Sequence, residues 1–398
     1  MTEQVLHSAF GADPKAARQE SLAAAAVDAS AIEGATQAVM VFRYDDVQKH
    51  LLNTKLVGVG LTFFDVMSIT DGPLREWYGS LMFTNEGRPH HRLRSLVGKA
   101  FSPRSVETHR DVARRLIGDR LAELQAASGG DLKQVLADAP MHLMCELLGV
   151  PDDDVDTFID WVNALGPVFS LMTPEQIDAA TEAAVGLLKY VDMLCEAREH
   201  EPGDDLITSL ITAEHEGDKL SRKETAAMVA NLLVAGHDTT SSQIACTLLT
   251  LLGYPDVLEE IRNDAVDVPS LINETIRVEP AIGATARTAT EPVEICGKMR
   301  DAGTMVLLNT MTANRDPLIW KDPSAFVPHR FESTEAPKLL TFGGGPHHCL
   351  GAWLARLTLE ETVRSVAALS PTLTEAADGI PWEQQLGANP VRLPVTLN

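Results

Sequence analysis

This sequence predicts a mainly α fold of the α+β class: a large helical body, one long central helix and a minor β-rich part. Three observations carry that expectation. Apolar residues recur at three- and four-residue spacing through most of the chain. One such run, 222–253, is long enough to cross the whole molecule at about 1.5 Å per residue. Between 284 and 309 the period shortens and glycines punctuate it, as in short strands.

The helical segments follow in order as 107–125, 132–148, 153–165, 175–199, 222–253, 256–263, 268–278 and 352–369. Gly149-Val150-Pro151, Glu201-Pro202-Gly203 and Gly253-Tyr254-Pro255 stop three of them. Ser221 and Glu224 form a capping box that opens the long run. The β-rich portions are expected at roughly 35–60, 284–309 and 380–398. Val293-Glu294-Ile295 and 304–308, split by Gly297 and Gly303, read as short strands in one small sheet. The last twenty residues read as a further strand pair. With no repeat, low-complexity tract or long linker, a single domain over 1–398 is expected.

The chain has 398 residues, 45% of them hydrophobic, and no stretch approaches the roughly 18 apolar residues of a membrane helix. Its 56 acidic and 33 basic side chains leave a net charge of −23. That field argues against nucleic acid as a partner, because phosphate binding rests on Lys and Arg. The N-terminus lacks the basic flank and apolar run of a signal peptide, so a cytoplasmic location is expected.

Five cysteines lie far apart at 145, 195, 246, 296 and 349, which suits neither a disulfide framework nor a zinc ribbon. Four sit in apolar company and read as small buried hydrophobes. Cys349 differs, lying in a Gly-rich loop, FGGGPHHCLG, that feeds a helix. A phosphate loop would need a Lys-Ser/Thr close, which is missing. Zinc would need ligands beyond His347, His348 and Cys349. An activated thiol nucleophile and a haem thiolate both remain, since loop N–H groups and a helix start stabilise a sulfur anion.

With Phe342, Gly345, His347, Cys349 and Gly351 the segment resembles the F-x-x-G-x-H-x-C-x-G signature of the cytochrome P-450 superfamily, and Ala355-Arg356 continue it. Other segments match the family in order. The E-x-x-R pattern occurs four times, and position selects Glu274/Arg277; Arg330, in Phe326-Val327-Pro328-His329-Arg330-Phe331, matches the arginine completing a structural Glu-Arg-Arg network. Ala235-Gly236-His237-Asp238-Thr239-Thr240 resembles the oxygen-activating segment, which implies proton relay by Asp238 and Thr239. His90 and Arg94 share one helix face, and with Arg287 and His347 they match the residues that hold haem propionates. Upstream, Glu86-Gly87-Arg88-Pro89 departs from the commoner Asp-Pro-Pro-Glu.

The resemblance implies the cytochrome P-450 fold and a monooxygenase that inserts one oxygen atom of O2 into a C–H bond of an apolar small molecule. Haem b would rest on Cys349 and Phe342, with Cys349 as the axial iron ligand. Electrons would come from NAD(P)H indirectly, through a ferredoxin and its reductase, onto a basic patch drawn from Arg92, Lys99, Arg104 and Arg356. A peroxide-driven peroxygenase and a non-catalytic haem sensor or ligand carrier are the alternatives. The substrate pocket is expected at Phe63, Phe64, Met67, Phe169, Asn231, Val234, Ala235 and Gly283, with Leu61, Leu165, Val168, Leu171 and Met172 also in the apolar stretches. A monomer is expected.

Overall fold

The computed structural model describes residues 31–33, 38–169, 171–215, 218–384 and 388–397. Its principal helices are α1 (Tyr44–Leu51), α2 (Pro73–Ser80), α3 (Gly87–Val97), α4 (Arg110–Ala126), α5 (Ala139–Leu148), α6 (Val155–Leu165), α7 (Pro174–His200), α8 (Arg222–Leu252), α9 (Pro255–Arg262), α10 (Val268–Val278) and α11 (Ala352–Ala368). The run expected at 132–148 is two helices, Leu132–Leu136 and α5. Pro140 is the reason: it lacks an N–H and fits only a first turn, so the helix restarts around it. The run expected from 107 begins at Arg110, behind a separate short helix, Pro103–Glu107.

The capping box at the head of α8 is formed: the Ser221 N–H donates to Glu224 Oε2 at 2.8 Å, and the Glu224 N–H returns to Ser221 Oγ. Thr173 and Gln176 cap α7 in the same way. Two apolar cores meet along α8. Val229 to Val234 pack with Trp77, Phe158 and Leu187, whereas Ile244 to Leu252 pack with Leu121, Ile272 and Val363.

The β part corrects two expectations. Strands β1 (Ala31–Glu33), β2 (Val39–Val41), β3 (Leu56–Val57), β4 (Thr285–Ala289), β5 (Val293–Ile295), β6 (Lys298–Arg300) and β7 (Met305–Leu308) make a five-stranded sheet of order β1-β2-β7-β4-β3 and a separate β5–β6 hairpin. Segments 293–295 and 304–308 therefore do not share a sheet. Cys296 and Gly297 both take positive φ (48° and 78°), and this tight turn closes β5 onto β6. Strand β7 pairs instead with β4, Val306 opposite Arg287, and runs parallel to β2. The 35–60 portion also contains α1.

The last twenty residues hold strands of two different sheets. Ala388–Pro390 pairs with Trp382–Gln384, while Pro394–Leu397 pairs with Pro371–Leu373 and Gly129–Asp131. Asp131 Oδ1 accepts the Leu393 N–H at 2.8 Å and draws the chain across. Residues 35–37, 385–387 and 398 of the expected β portions lie outside the described residues. No helix among the described residues is long and apolar enough to cross a membrane.

Candidate active site around Cys349

The cysteine loop is built by backbone constraints. The Cys349 N–H donates to the Phe342 carbonyl at 2.8 Å, and Gly343 and Gly345 take positive φ (72° and 63°). A Cβ at Gly345 would stand 3.1 Å from the Leu51 carbonyl oxygen, and one at Gly344 3.3 Å from Leu51 Cβ. These two glycines thus let the loop pack against the end of α1, a requirement of the protein itself.

The Cys349 sulfur is exposed but crowded by protein, so burial pushes its thiol up, while the Gly351 N–H, Arg94 and Arg356 pull it back. Helix α11 begins three residues later and directs its positive end here. Arg356 lies over the Phe342 ring at 4.3 Å and donates to Asn273 Oδ1 at 3.0 Å. Among the other cysteines, Cys145, Cys195 and Cys246 are buried as expected, whereas Cys296 is a half-buried turn residue.

His90, Arg94, Arg287 and His347 are brought toward one another from α3, β4 and the loop. The His90 and His347 rings stand 4.2 Å apart. His90 is buried, and its Nε2 has no partner among the described residues. Burial, then His347 and Arg94, push its imidazole down to about 4. Burial also lowers the Arg94 and Arg287 guanidiniums. Among the described residues Arg287 donates to Thr285 Oγ1 and the Ala286 carbonyl (2.8 and 2.9 Å). His347 Nε2 lies 2.9 Å from Glu86 Oε2, a contact the sequence did not suggest.

Helix α8 is buried without a break from Thr225 to Val234 and again from Ser242 to Leu248. Between them Ala235 is exposed and, of the next six residues, only His237 is buried. Because α5, α7, α10 and α11 pack along this helix, that surface opens inside the fold. Thr239 Oγ1 donates to the Ala235 carbonyl at 2.7 Å, a bond back to the preceding turn. Asp238 precedes it, half-buried. Asn231, one turn earlier, is 5% exposed, with Oδ1 unpartnered among the described residues.

Other pocket expectations divide. Phe64 and Val234 belong to the core, Phe64 stacking on Tyr78 at 4.7 Å, and Leu165 and Val168 are likewise buried. Met67 and Phe169 are half-buried; Phe83, which the sequence did not flag, lies 5.7 Å from Phe169. Gly283 is half-buried and accepts Met311 N–H at 2.9 Å, and Leu171 is exposed. The Phe63 side chain lies outside the described residues. A cavity of about 960 Å³ sits elsewhere, between α3 and the start of α8, lined by Ser80, Asn85, Arg92, Leu96 and Glu224. It includes neither Cys349 nor the open face of α8.

The structural network forms in full. Glu274 and Arg277 are fully buried and paired through two contacts of 2.7 and 2.8 Å. Arg330 Nε joins at 3.1 Å. The other E-x-x-R matches lack a buried pair: Arg364 turns to exposed Asp264 while buried Glu361 takes Arg110 and Arg114, Arg110 also binds exposed Glu107, and Arg262 donates to the Ala367 carbonyl.

The residues fit a haem. A protein-held thiol, two desolvated guanidiniums and an orphaned buried imidazole nitrogen are the donors such a group requires. Comparison with known proteins gives the same assignment. The family model described as cytochrome P-450 matches residues 32–366. The chain is 36% identical to cytochrome P-450 107B1 of Saccharopolyspora erythraea, over 86% of this chain and 85% of that one. It is 34% identical to the mycinamicin IV hydroxylase/epoxidase of Micromonospora griseorubida, over 90% and 89%. The crystal structure of CalO2 superposes with a TM-score of 0.87 at 26% identity, covering 96% of this chain and 97% of that one. This chain therefore belongs to the cytochrome P-450 family and is a monooxygenase of that family, with its haem and O2.

Proposed function

We propose that the chain uses Cys349 as the axial ligand of haem b to oxygenate a C–H bond of an apolar small molecule, with reducing equivalents relayed from NAD(P)H by a ferredoxin and its reductase in the cytoplasm. The observation that carries the reading is that the buried His90 ring of α3 stands 4.2 Å from the ring of His347, two residues before Cys349 in the glycine loop. That contact sets the α3 donors beside the loop that carries the thiol. Bound haem supplies the oxygen activation and the oxygen transfer. His90, Arg94, Arg287 and His347 would hold its propionates, and Phe342, stacked with Arg356, would back the loop.

Thr239 and Asp238 would serve the proton steps. The Thr239 hydroxyl proton is committed to the Ala235 carbonyl, which leaves its oxygen to act as an acceptor. Asn231, Ala235, Phe169, Met67 and Gly283 would line the substrate space. Relatives named for hydroxylating or epoxidising mycinamicin IV and erythromycin support an organic small molecule as substrate. The test is the spectrum of the reduced, CO-bound protein. The long-wavelength Soret band of thiolate ligation is expected, and a short-wavelength band sinks the reading.

Thr239→Ala discriminates the O2 route from the peroxygenase alternative. Product formed with O2 and the ferredoxin system is expected to fall about 10²-fold, while peroxide-supported turnover falls far less. Equal losses on both routes remove the proton-relay role.

Two members of the basic patch expected from sequence are already engaged within the chain. Arg92 is bound to Asp218, Glu224 and the Lys219 carbonyl, and Arg356 is held under Phe342, so neither is a free surface cation. Lys99, Arg104 and Lys338 are exposed, Lys338 acts on His348 beside the cysteine, and Trp353 is 50% exposed at the head of α11. Reversing Lys99, Arg104 and Lys338 to Glu is expected to raise the KM for ferredoxin about tenfold at low salt, with reduction by dithionite unchanged. An unchanged KM places the donor elsewhere.

A further inference from the structure

The propionate cluster contains a carboxylate of its own. Glu86 Oε1 accepts the Gly58 N–H at 2.7 Å, and Oε2 lies 2.9 Å from His347 Nε2. Held at both oxygens, the group cannot swing away as a free surface side chain would. Its charge also reaches His90 and Arg287, on two other elements. Gly87, at φ 59°, makes the turn that brings Glu86 to the head of α3. The segment Glu86-Gly87-Arg88-Pro89 thus places a fixed anion where the chain gathers donors for anions.

Charge counting gives the consequence. Arg94 and Arg287 are the guanidiniums of the cluster. Two guanidiniums balance two propionates. A third carboxylate beside them repels both propionates in a partly desolvated space, where repulsion is weakly screened. It also occupies His347 Nε2.

On this basis, and resting on the propionate role given above to His90, Arg94, Arg287 and His347, we propose that Glu86 is a built-in competitor of the haem propionates that loosens haem retention. Glu86→Gln removes the charge but keeps an oxygen for the Gly58 N–H. The measurement is haem transfer from the holoprotein to excess apomyoglobin, which reads cofactor loss without turnover. Glu86→Gln is expected to slow transfer about three- to tenfold. An unchanged or faster rate overturns the proposal; a faster one makes Glu86 a support for the His347 ring.

A second comparison guards against a local folding defect. In a His347→Ala background the Glu86→Gln substitution still slows transfer if it acts on the propionates through its charge. Loss of the effect there overturns that mechanism. Arg94→Gln separates the two layers of the argument. If Arg94→Gln speeds transfer and Glu86→Gln does not slow it, only the competitor role fails. If neither substitution changes the rate, the propionate assignment fails with it.

Discussion

Cys349→Ser is expected to lower monooxygenation at least about 10³-fold, equivalent to about 4 kcal/mol of transition-state stabilisation. The reduced, CO-bound Soret band is expected to leave its thiolate position in the same protein. The argument rests on how the loop treats a negative sulfur. Thiolate ligation donates the electron density that favours O–O cleavage, and a serine oxygen is a harder, poorer donor. The Gly351 N–H, the start of α11 and the charges of Arg94 and Arg356 all favour the anion against the burial that raises the thiol. Because serine is nearly isosteric, the Cys349 N–H to Phe342 bond and the Gly344–Leu51 packing survive the change. A variant that loses activity yet keeps its melting behaviour assigns the loss to the ligand. Retained activity with an unshifted band removes Cys349 from the iron.

The cysteine loop was legible because its chemistry is local: glycines, a histidine, a thiol and a helix start lie within ten residues. Glu274/Arg277 was legible by order along the chain, although three other E-x-x-R matches share its local pattern; what separates it physically is that both members are buried and bonded to each other. Relations formed by chain crossings were hidden. Glu86 meets His347 only because α3 starts beside the cysteine loop, and Gly344 meets Leu51 only because α1 ends there. Strand β4 was concealed by its composition, since Thr285, Arg287 and Thr288 blur the alternation of a half-buried strand. Phe64 looked like a cavity wall because apolar side chains read alike whether they face a core or a cleft. Its contact with Tyr78 decides in favour of core.

Arg277→Leu is expected to destabilise the protein by about 3–5 kcal/mol, because it strips the buried Glu274 carboxylate of its two-point partner and leaves it only Arg330 as an ion-pair partner. All five N–H donors of Arg277 are placed: Nε and one Nη2 bond on Glu274, the others on the Ala325, Asn314 and Pro323 carbonyls at 2.7, 3.1 and 2.6 Å. Glu274 Oε1 in turn accepts the Val327 N–H at 2.8 Å, and Arg330 closes the cluster. Asn314, whose carbonyl the arginine holds, sends its side chain to Leu340 and Thr341, immediately before the cysteine loop. Stability and haem retention should therefore fall together. Denaturant unfolding and haem release, compared with Arg364→Leu, are the measurements. Arg364 pairs with an exposed Asp264, and its loss should stay within about 0.5 kcal/mol. Arg277→Lys should rescue little of the deficit, because an ammonium has three donors and no planar fork to replace five. Full rescue by lysine would reduce the network to simple charge pairing and detach it from the geometry of the loop.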